Sequence, residues 1–393
     1  MNYFKLIRIF VLALKLIPIL FFPYYFSSSE IGDYGVVLGY IYTLIYLAGF
    51  EFWFKYNRDF TKLKTNLEKE QLLSKQNQKY LFNYLFVIPI LILLLSSYSL
   101  DIIFYSFVIL ISYHLAQEIN RLLIHLEDHL NASLLQLLQA LWVLFLPFGF
   151  INSVSTLFLY ILIFAFLALV ASILVLYMKY NIKYTTTFKI TFNYIEYKEM
   201  ILILLSALLI KFIFFLPRFI LEWKNQLDLA GIFTYFQSIS MVGEYFLYFF
   251  IQAIFIPKLL KNNQDKSLIK SFKNQMIIGV ILLFFLISTG MYILVNYIIK
   301  DDIYSQYLHI GYIILFAVCI LGFSSFYTSI SYINHDDKSY KIAILYSSFL
   351  AIVLFSISLL IFNHSILTII SIDFLLYSII LFYFRMFYAY KYL

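Results

Sequence analysis

Apolar runs of about twenty residues, separated by short polar connections, follow one another along the whole chain. A helix needs roughly 20 consecutive apolar residues to cross the hydrocarbon core of a bilayer. The pattern therefore predicts an all-α polytopic membrane protein with about twelve transmembrane helices. The predicted spans are 6–26, 34–54, 81–98, 102–124, 134–151, 156–178, 200–221, 229–256, 276–299, 306–330, 341–361 and 366–388.

The composition supports this class of protein, and the sequence lacks the motifs of several kinds of enzyme and metal site. Hydrophobic residues make up 63% of the 393 residues and charged residues only 12%, whereas a soluble domain is about one quarter charged. The single cysteine, Cys319, excludes a disulfide within the chain. Phosphate-loop, serine-hydrolase and zinc-protease motifs are missing from the sequence. His125 and His129 have metal-ligand spacing but no third partner nearby, so we predict neither a metal nor a cofactor, apart from a coupling H⁺ or Na⁺.

The basic residues alternate between the two sides of the predicted membrane. If both termini are cytoplasmic, 23 of the 28 Lys and Arg residues face the cytoplasm and two face outward, as the positive-inside rule requires. The longest polar stretch, 55–80, is predicted to be a solvated helical connector on the cytoplasmic side, and not a nucleic-acid site. Outward loops of about ten residues or fewer leave no room for an external catalytic domain, so we do not expect an enzyme.

The chain divides into two similar halves of six spans each, predicted as lobes 1–185 and 186–393. The first half opens with a helix that contains Lys15 and Pro18, and the second with a helix that contains Lys211 and Pro217. Repeated halves are the usual construction of alternating-access transporters, whose substrate site lies at the interface between the repeats.

Three cations lie inside the leading helices of the two halves. A lysine at the bilayer centre costs roughly 2.5–3.5 kcal/mol on insertion scales, so Lys15 and Lys211 are candidates for lining a polar cavity. Arg218 follows Lys211 at i+7, on the same helix face, although snorkelling to the interface is the alternative. We predict that Lys15, Lys211 and Arg218 bind an anionic substrate such as a diphosphate.

Acidic residues inside the spans are candidates for ion pairing or ion coupling. Glu244 lies near the middle of the eighth span and is predicted to pair with Lys211 or Arg218, or to carry a coupling proton. Asp373 in the last span and Glu51 at the cytoplasmic end of the second are further candidates. Glu118, near the cytoplasmic end of the fourth span where water is close, is the remaining acidic residue within a span.

Local motifs resemble one known superfamily. The stretch 26–35 (FSSSEIGDYG) is similar to the entry to the second helix in the polysaccharide-transporter branch of the multidrug/oligosaccharidyl-lipid/polysaccharide exporter superfamily. The stretches 47–50 (LAGF), 229–233 (LAGIF) and 254–257 (IFIP) resemble further characteristic points of that branch. The resemblance implies two six-helix lobes in a V-shaped transporter fold.

The same resemblance implies a function. It suggests an O-antigen-type flippase that moves an undecaprenyl-diphosphate-linked oligosaccharide across the bacterial inner membrane for lipopolysaccharide or other surface polysaccharide synthesis. The lipid-linked sugar and the bilayer would be its partners, with a polysaccharide polymerase and chain-length machinery as further candidates. A multidrug or metabolite antiporter of the same superfamily remains the alternative, followed by a membrane enzyme such as an O-antigen polymerase.

Overall fold

The computed structural model describes residues 3–60, 62–184, 194–261, 265–300, 302–334, 336–361 and 366–393. Within these ranges, helices are the only regular secondary structure. The α-helices are α1 Tyr3–Leu14, α2 Leu16–Tyr25, α3 Ser28–Gly49, α4 Trp53–Phe60, α5 Asn66–Leu94, α6 Leu100–His125, α7 His129–Ala140, α8 Val154–Tyr180, α9 Tyr194–Trp223, α10 Leu227–Leu247, α11 Ala253–Lys261, α12 Lys266–Ile293, α13 Asp302–Gln306, α14 Leu308–Ile333, α15 Asp337–Ile361 and α16 Ile366–Ala389. Two π-helical segments, Tyr248–Gln252 and Leu294–Ile299, continue α10 and α12.

Eleven helices in the described part of the chain are long and apolar enough to cross a membrane. They match eleven of the predicted spans, and the prediction of an all-α multi-pass membrane protein is confirmed. The predicted fifth span, 134–151, is a shorter apolar helix. It consists of α7 followed by a 3₁₀ turn, Leu141–Phe145. The helix stops before Pro147, which lacks a backbone N–H, and Gly149 takes a positive φ of 72° in the turn that follows.

Backbone contacts divide the chain into two compact units. Unit 1 contains Met1–Ile17 and Val37–Leu208, and unit 2 contains Pro18–Val36 and Leu209–Leu393. The chain passes from one unit to the other within α2, α3 and α9. These units differ from the predicted lobes at residues 18–36 and 186–208, and the boundary near residue 185 stays a prediction about the internal repeat.

The core of unit 1 forms where α6 packs against α8 and α7, and α1 packs against α7. Apolar side chains of these helices, such as Leu123, Leu135 and Leu176, are buried together. In unit 2, α14 is the central helix and packs against α10, α12 and α16, with α15 against α16. Phe272, Phe326 and their neighbours fill that core. Each unit is therefore a helix bundle with its own interior.

The region 55–80 differs from its prediction as a solvated connector. α5 begins at Asn66. The Thr65 hydroxyl accepts a hydrogen bond from the Glu68 backbone N–H, and the Glu68 carboxylate accepts one from the Thr65 backbone N–H. This is a capping box, in which the two side chains satisfy orphan N–H groups of the first turn. The helix then runs without interruption into the predicted third span, so that Gln76 and Lys79 are buried against neighbouring helices. The predicted helical character agrees with α4 and α5. The prediction of a solvated segment was wrong for Leu73, Gln76, Asn77, Lys79 and Tyr80, because charge alone did not reveal a second, buried face.

Two helices of unit 2 cross at very close range. A Cβ on Gly231 of α10 would lie 2.7 Å from the carbonyl carbon of Ser28 and 3.0 Å from the nitrogen of Gly32 in α3. Ser28 also donates a 2.6 Å hydrogen bond from its hydroxyl to Asp228. The backbones meet because glycine has no side chain at the crossing, a device common in membrane helices.

The end of the chain is fixed to the loop between α14 and α15. Asp336 accepts hydrogen bonds from Lys391 and Tyr392 and from the backbone of Ser339. Partial burial opposes ionisation of Asp336, but these hydrogen bonds outweigh it and lower the pKa of the carboxyl to about 2. The ion pair is thus present throughout the neutral range.

Candidate functional site

Lys15 lies at a break in the first span. It separates α1 from α2, and its backbone N–H is shared between the carbonyls of Val11 and Leu12, at 3.3 and 3.2 Å. Pro18 follows and cannot donate to the carbonyl four residues earlier, which accounts for the interruption. The Lys15 side chain is half-buried in unit 1.

Lys211 and Arg218 lie on one helix, α9, in the part that belongs to unit 2. Lys211 is half-buried, with its Nζ 5.8 Å from the centre of the Phe214 ring. Arg218 is only 7% exposed. Its guanidinium donates to the carbonyl of Gly35 at 3.0 Å and to Oε1 of Gln237 at 2.5 Å. Arg218 therefore links α9 to α3 and α10, while Lys211 has a more open setting.

Among the described residues, the predicted acidic residues Glu244 and Asp373 do not pair with these cations. Glu244 is half-buried in α10 and, within the described part of the chain, makes no side-chain hydrogen bond or ion pair with Lys211 or Arg218. Asp373 is buried in α16 and accepts a 3.0 Å hydrogen bond from Ser358 of α15. Their roles in pairing or coupling stay predictions.

Glu51 lies in a turn of unusual geometry. It is 4% exposed, has a φ of 55°, and follows Phe50 with a φ of 48°. Left-handed backbone is uncommon for residues other than glycine, and strain of this kind is concentrated at functional sites and ligand clamps. The turn places the Glu51 carboxylate 2.6 Å from the indole Nε1 of Trp53, which donates to it. The ring of Trp53 in turn lies beneath the guanidinium of Arg121, at 4.6 Å.

A buried polar network in unit 1 was not among the predicted site residues. Glu118 of α6 is 6% exposed. One of its oxygens accepts a 2.5 Å hydrogen bond from the hydroxyl of Tyr80, and the other accepts a 2.6 Å bond from Arg121. Gln76 of α5 donates to both Tyr80 and Glu118. The carboxylate is thus enclosed by donors from two membrane helices.

The same two helices carry a second pair, one helical turn deeper. The Nδ1 of His114 lies 2.5 Å from the hydroxyl of Tyr84, and the edge of the Tyr80 ring packs on the imidazole at 4.5 Å. His114 is 1% exposed, and its Nε2 has no hydrogen-bond partner in the described part of the chain. A Cβ at Gly49 would come within 2.9 Å of that nitrogen, so a larger residue there would force the imidazole ring to shift.

A sequence signal for this network existed. Tyr80 and Tyr84 are four residues apart on α5, as are His114 and Glu118 on α6, so each pair lies on one helix face. The polar residues at the end of the fourth span were visible in the sequence. Tyr80 and Gln76 were not recognised as their partners, because the predicted third span began only at residue 81.

A third cluster joins the start of α9 to α4 and α5. Glu196 makes ion pairs with Lys79, which is 1% exposed, and with Lys75, at 3.0 Å. Tyr56 donates to Glu196 at 3.3 Å, and burial raises the pKa of Tyr56. The ammonium of Lys79 also lies over the rings of Phe52 and Tyr56. This arrangement holds the beginning of α9 within unit 1.

The described residues contain no cluster of three or more His, Cys, Asp and Glu side chains that could hold a metal ion. The predicted His125–His129 spacing does not fall on one helix, because α6 ends at His125 and α7 begins at His129. A cavity of about 420 Å³ near the end of α7 is lined by apolar side chains alone: Leu141, Leu144, Phe145, Phe148, Phe150 and Phe164.

No protein-family model matches the chain, and no curated protein matches it. Several solved structures are similar to the chain. An inward-facing multidrug resistance MATE family transporter of the MOP superfamily aligns over 99% of this chain and 98% of its own, with 12% identity and a TM-score of 0.68. The lipid II flippase MurJ in an inward closed conformation aligns over 98% and 87%, with 14% identity and a TM-score of 0.69. The crystal structure of a MATE point mutant aligns over 99% and 95%, with 13% identity and a TM-score of 0.61.

The chain has the fold of MOP-superfamily transporters. At this level of identity the likeness concerns the fold. It agrees with the superfamily implied by the motifs at 26–35 and 229–233.

Proposed function

We propose that this protein is a flippase that moves an undecaprenyl-diphosphate-linked oligosaccharide across the inner membrane by alternating access. The observation that carries the proposal is the fold, which this chain shares over 98% of its length with a lipid II flippase. A lipid-linked headgroup is too polar to cross hydrocarbon unaided, and a two-part helical transporter supplies a polar route. The positive-inside pattern places both termini in the cytoplasm in this proposal.

The headgroup diphosphate needs cations within the membrane, and the leading helices supply them. We assign Lys15 and Lys211 to this role because both are half-buried in spans and neither is enclosed in a helix-packing core. A lysine ammonium is a mobile point charge on a flexible stem, which suits a phosphate that must be bound and then released. Arg218 is the third predicted cation, and its bonds to Gly35 and Gln237 would hold it in place as a fixed positive charge.

The proposal is tested by substituting Lys15 and Lys211 together by alanine. Translocation of a fluorescent undecaprenyl-diphosphate oligosaccharide in proteoliposomes should fall at least tenfold, because each lost charge-assisted contact is worth about 1.5–3 kcal/mol. The matched control replaces Lys62 and Lys270, two exposed lysines outside the membrane core, and removes the same charge. Equal loss in both double variants, or undiminished translocation by the Lys15/Lys211 variant, would refute the assignment.

A multidrug or metabolite antiporter is the second candidate, because the MATE transporter is matched over 98% of its own chain. The two candidates differ in the charge they bind, since exported drugs are commonly cationic. Competition separates them: an excess of lipid-linked diphosphate should block the flippase, whereas only an organic cation should block the antiporter.

A further inference from the structure

The carboxylate of Glu118 is buried and accepts hydrogen bonds from three side chains, an arrangement that helix packing alone does not require. A charge inside a membrane span is costly and rare, and by default it marks an ion or proton pathway. A buried ion pair is also weak support for stability, because desolvation of the two charges offsets their attraction. The network of Glu118, Tyr80 and Arg121 within unit 1 therefore needs a functional explanation.

Every partner of Glu118 donates to it in this structure. Tyr80 and Gln76 approach one oxygen, and Arg121 approaches the other. This donor set fits an ionised carboxylate. If the carboxylate gains a proton, the hydroxyl of Tyr80 can reverse its role and accept that proton's hydrogen bond, because a phenol both donates and accepts. The added proton is thus held in a hydrogen bond to Tyr80, whose own hydroxyl proton gives up its bond to Glu118.

Solvent reaches the site from one end. The Arg121 side chain is 20% exposed, whereas that of Glu118 is 6% exposed, and His114, one turn deeper, is 1% exposed. A proton from water therefore meets Arg121 and Glu118 before it meets the imidazole. The charged residues between positions 3 and 26 of the first span are all basic, so that span supplies no carboxylate.

Other titratable groups surround this site. Arg121 pairs with Glu118 and also interacts electrostatically with Glu51, whose carboxylate accepts from Trp53. Tyr184, which follows α8, donates to Asn77 of α5 at 2.7 Å. The titratable groups that interact with Glu118 are Tyr80, Tyr84, Tyr184 and Arg121. Arg121 in turn interacts with Tyr46, Glu51 and His114.

We propose that Glu118, positioned by Tyr80, is a proton-binding site of unit 1 that takes up and releases one proton during transport. The inference rests on the proposed transport function. Hydronium gives its proton to a Glu118 oxygen, a new O–H bond forms, and water leaves. The local charge rises by one, because Arg121 keeps its positive charge and loses Glu118 as a counter-ion, while Glu51 remains near it. Unit 1 is then more positive at this site, a state with different affinity for an anionic headgroup.

The site can be tested without any transport substrate. Infrared difference spectra of the purified full-length protein in nanodiscs, recorded as the pH is stepped, report the C=O band of a carboxylic acid that gains a proton. We expect a band in the wild type that is lost in Glu118→Gln and shifted in frequency in Tyr80→Phe. Asp128→Asn is the matched control. It removes another enclosed, ion-paired carboxylate of unit 1, and asparagine still caps α7.

Transport gives the second measurement. In proteoliposomes, an imposed proton gradient should change the rate of the wild type, whereas Glu118→Gln should show no response to the gradient. Glu118→Asp keeps a titrating group and should restore part of the response, which separates loss of the proton from loss of the fold. An unchanged infrared band in Glu118→Gln, or a full gradient response in that variant, overturns the proton site. If lipid-linked oligosaccharide is not moved by any form but the band still depends on Glu118, the site stands and the flippase proposal fails.

Discussion

The crossing of α3 and α10 gives the sharpest steric prediction. Gly231 faces the backbone of Ser28 and Gly32, and alanine at position 231 would place its Cβ 2.7 Å from a carbonyl carbon. Ordinary contact begins at 3.4 Å, so the two helices must separate by about 0.7 Å, and by more to clear the adjacent carbonyl oxygen. Neither obstacle is a side chain, so no rotamer change can relieve the overlap.

Two opposing contributions determine how much Gly231→Ala changes the free energy of unfolding. Overpacking of a tight interior costs about 1–3 kcal/mol, and a backbone overlap belongs at the upper end. The higher helix propensity of alanine returns about 1 kcal/mol. We therefore expect Gly231→Ala to lower the free energy of unfolding by about 2 kcal/mol. Gly290→Ala is the matched control, because a Cβ there meets nothing within 4 Å, and it should be neutral or stabilising by up to about 1 kcal/mol.

The single cysteine provides the assay. Cys319 is buried in α14, so a thiol-reactive fluorescent dye labels it only as the protein unfolds on heating. The melting temperature in detergent should fall for Gly231→Ala and stay level or rise for Gly290→Ala. Equal melting temperatures for the two variants would contradict the close crossing.

Three further predictions concern a helix cap, a buried cation and an ion pair. Thr65→Ala should destabilise the start of α5 by about 1 kcal/mol, seen as faster amide exchange in its first turn. Ser99→Ala should not affect α6, since Ser99 makes no capping hydrogen bond. Arg218→Met should lower the melting temperature more than Lys211→Met, because it leaves the Gly35 carbonyl and Gln237 without their donor, and the reverse order would be evidence against this packing role. Asp336→Asn should reduce stability at pH 7. This difference should shrink as the pH falls from about 4 to about 2, because the folded pKa of about 2 lies below the ordinary 3.8, and a difference that persists at pH 2 would argue against the ion pair.

Much of the fold followed from the sequence. Apolar run length predicted eleven of the spanning helices, because a bilayer imposes a minimum length on every helix that crosses it. The motif at 26–35 indicated the superfamily whose fold the chain shares. Helix starts were less well predicted: α5 begins at Asn66, well before the predicted span at residue 81, since a half-polar segment can continue a helix once other helices cover its polar face.

The sequence by itself therefore determined the membrane class, the helical content and the three cations in the leading helices, because hydrophobicity and charge are local properties. Only the tertiary structure decided which polar residues meet. Tyr80 donates to Glu118, which is 38 positions away in the sequence, and Arg218 donates to the carbonyl of Gly35, which is 183 positions away. Lys79 pairs with Glu196, although Lys79 lies in a segment whose charge pattern indicates a solvated connector. Such pairs form because a polar group buried among membrane helices must find a partner, and helix packing, which no local pattern encodes, selects that partner.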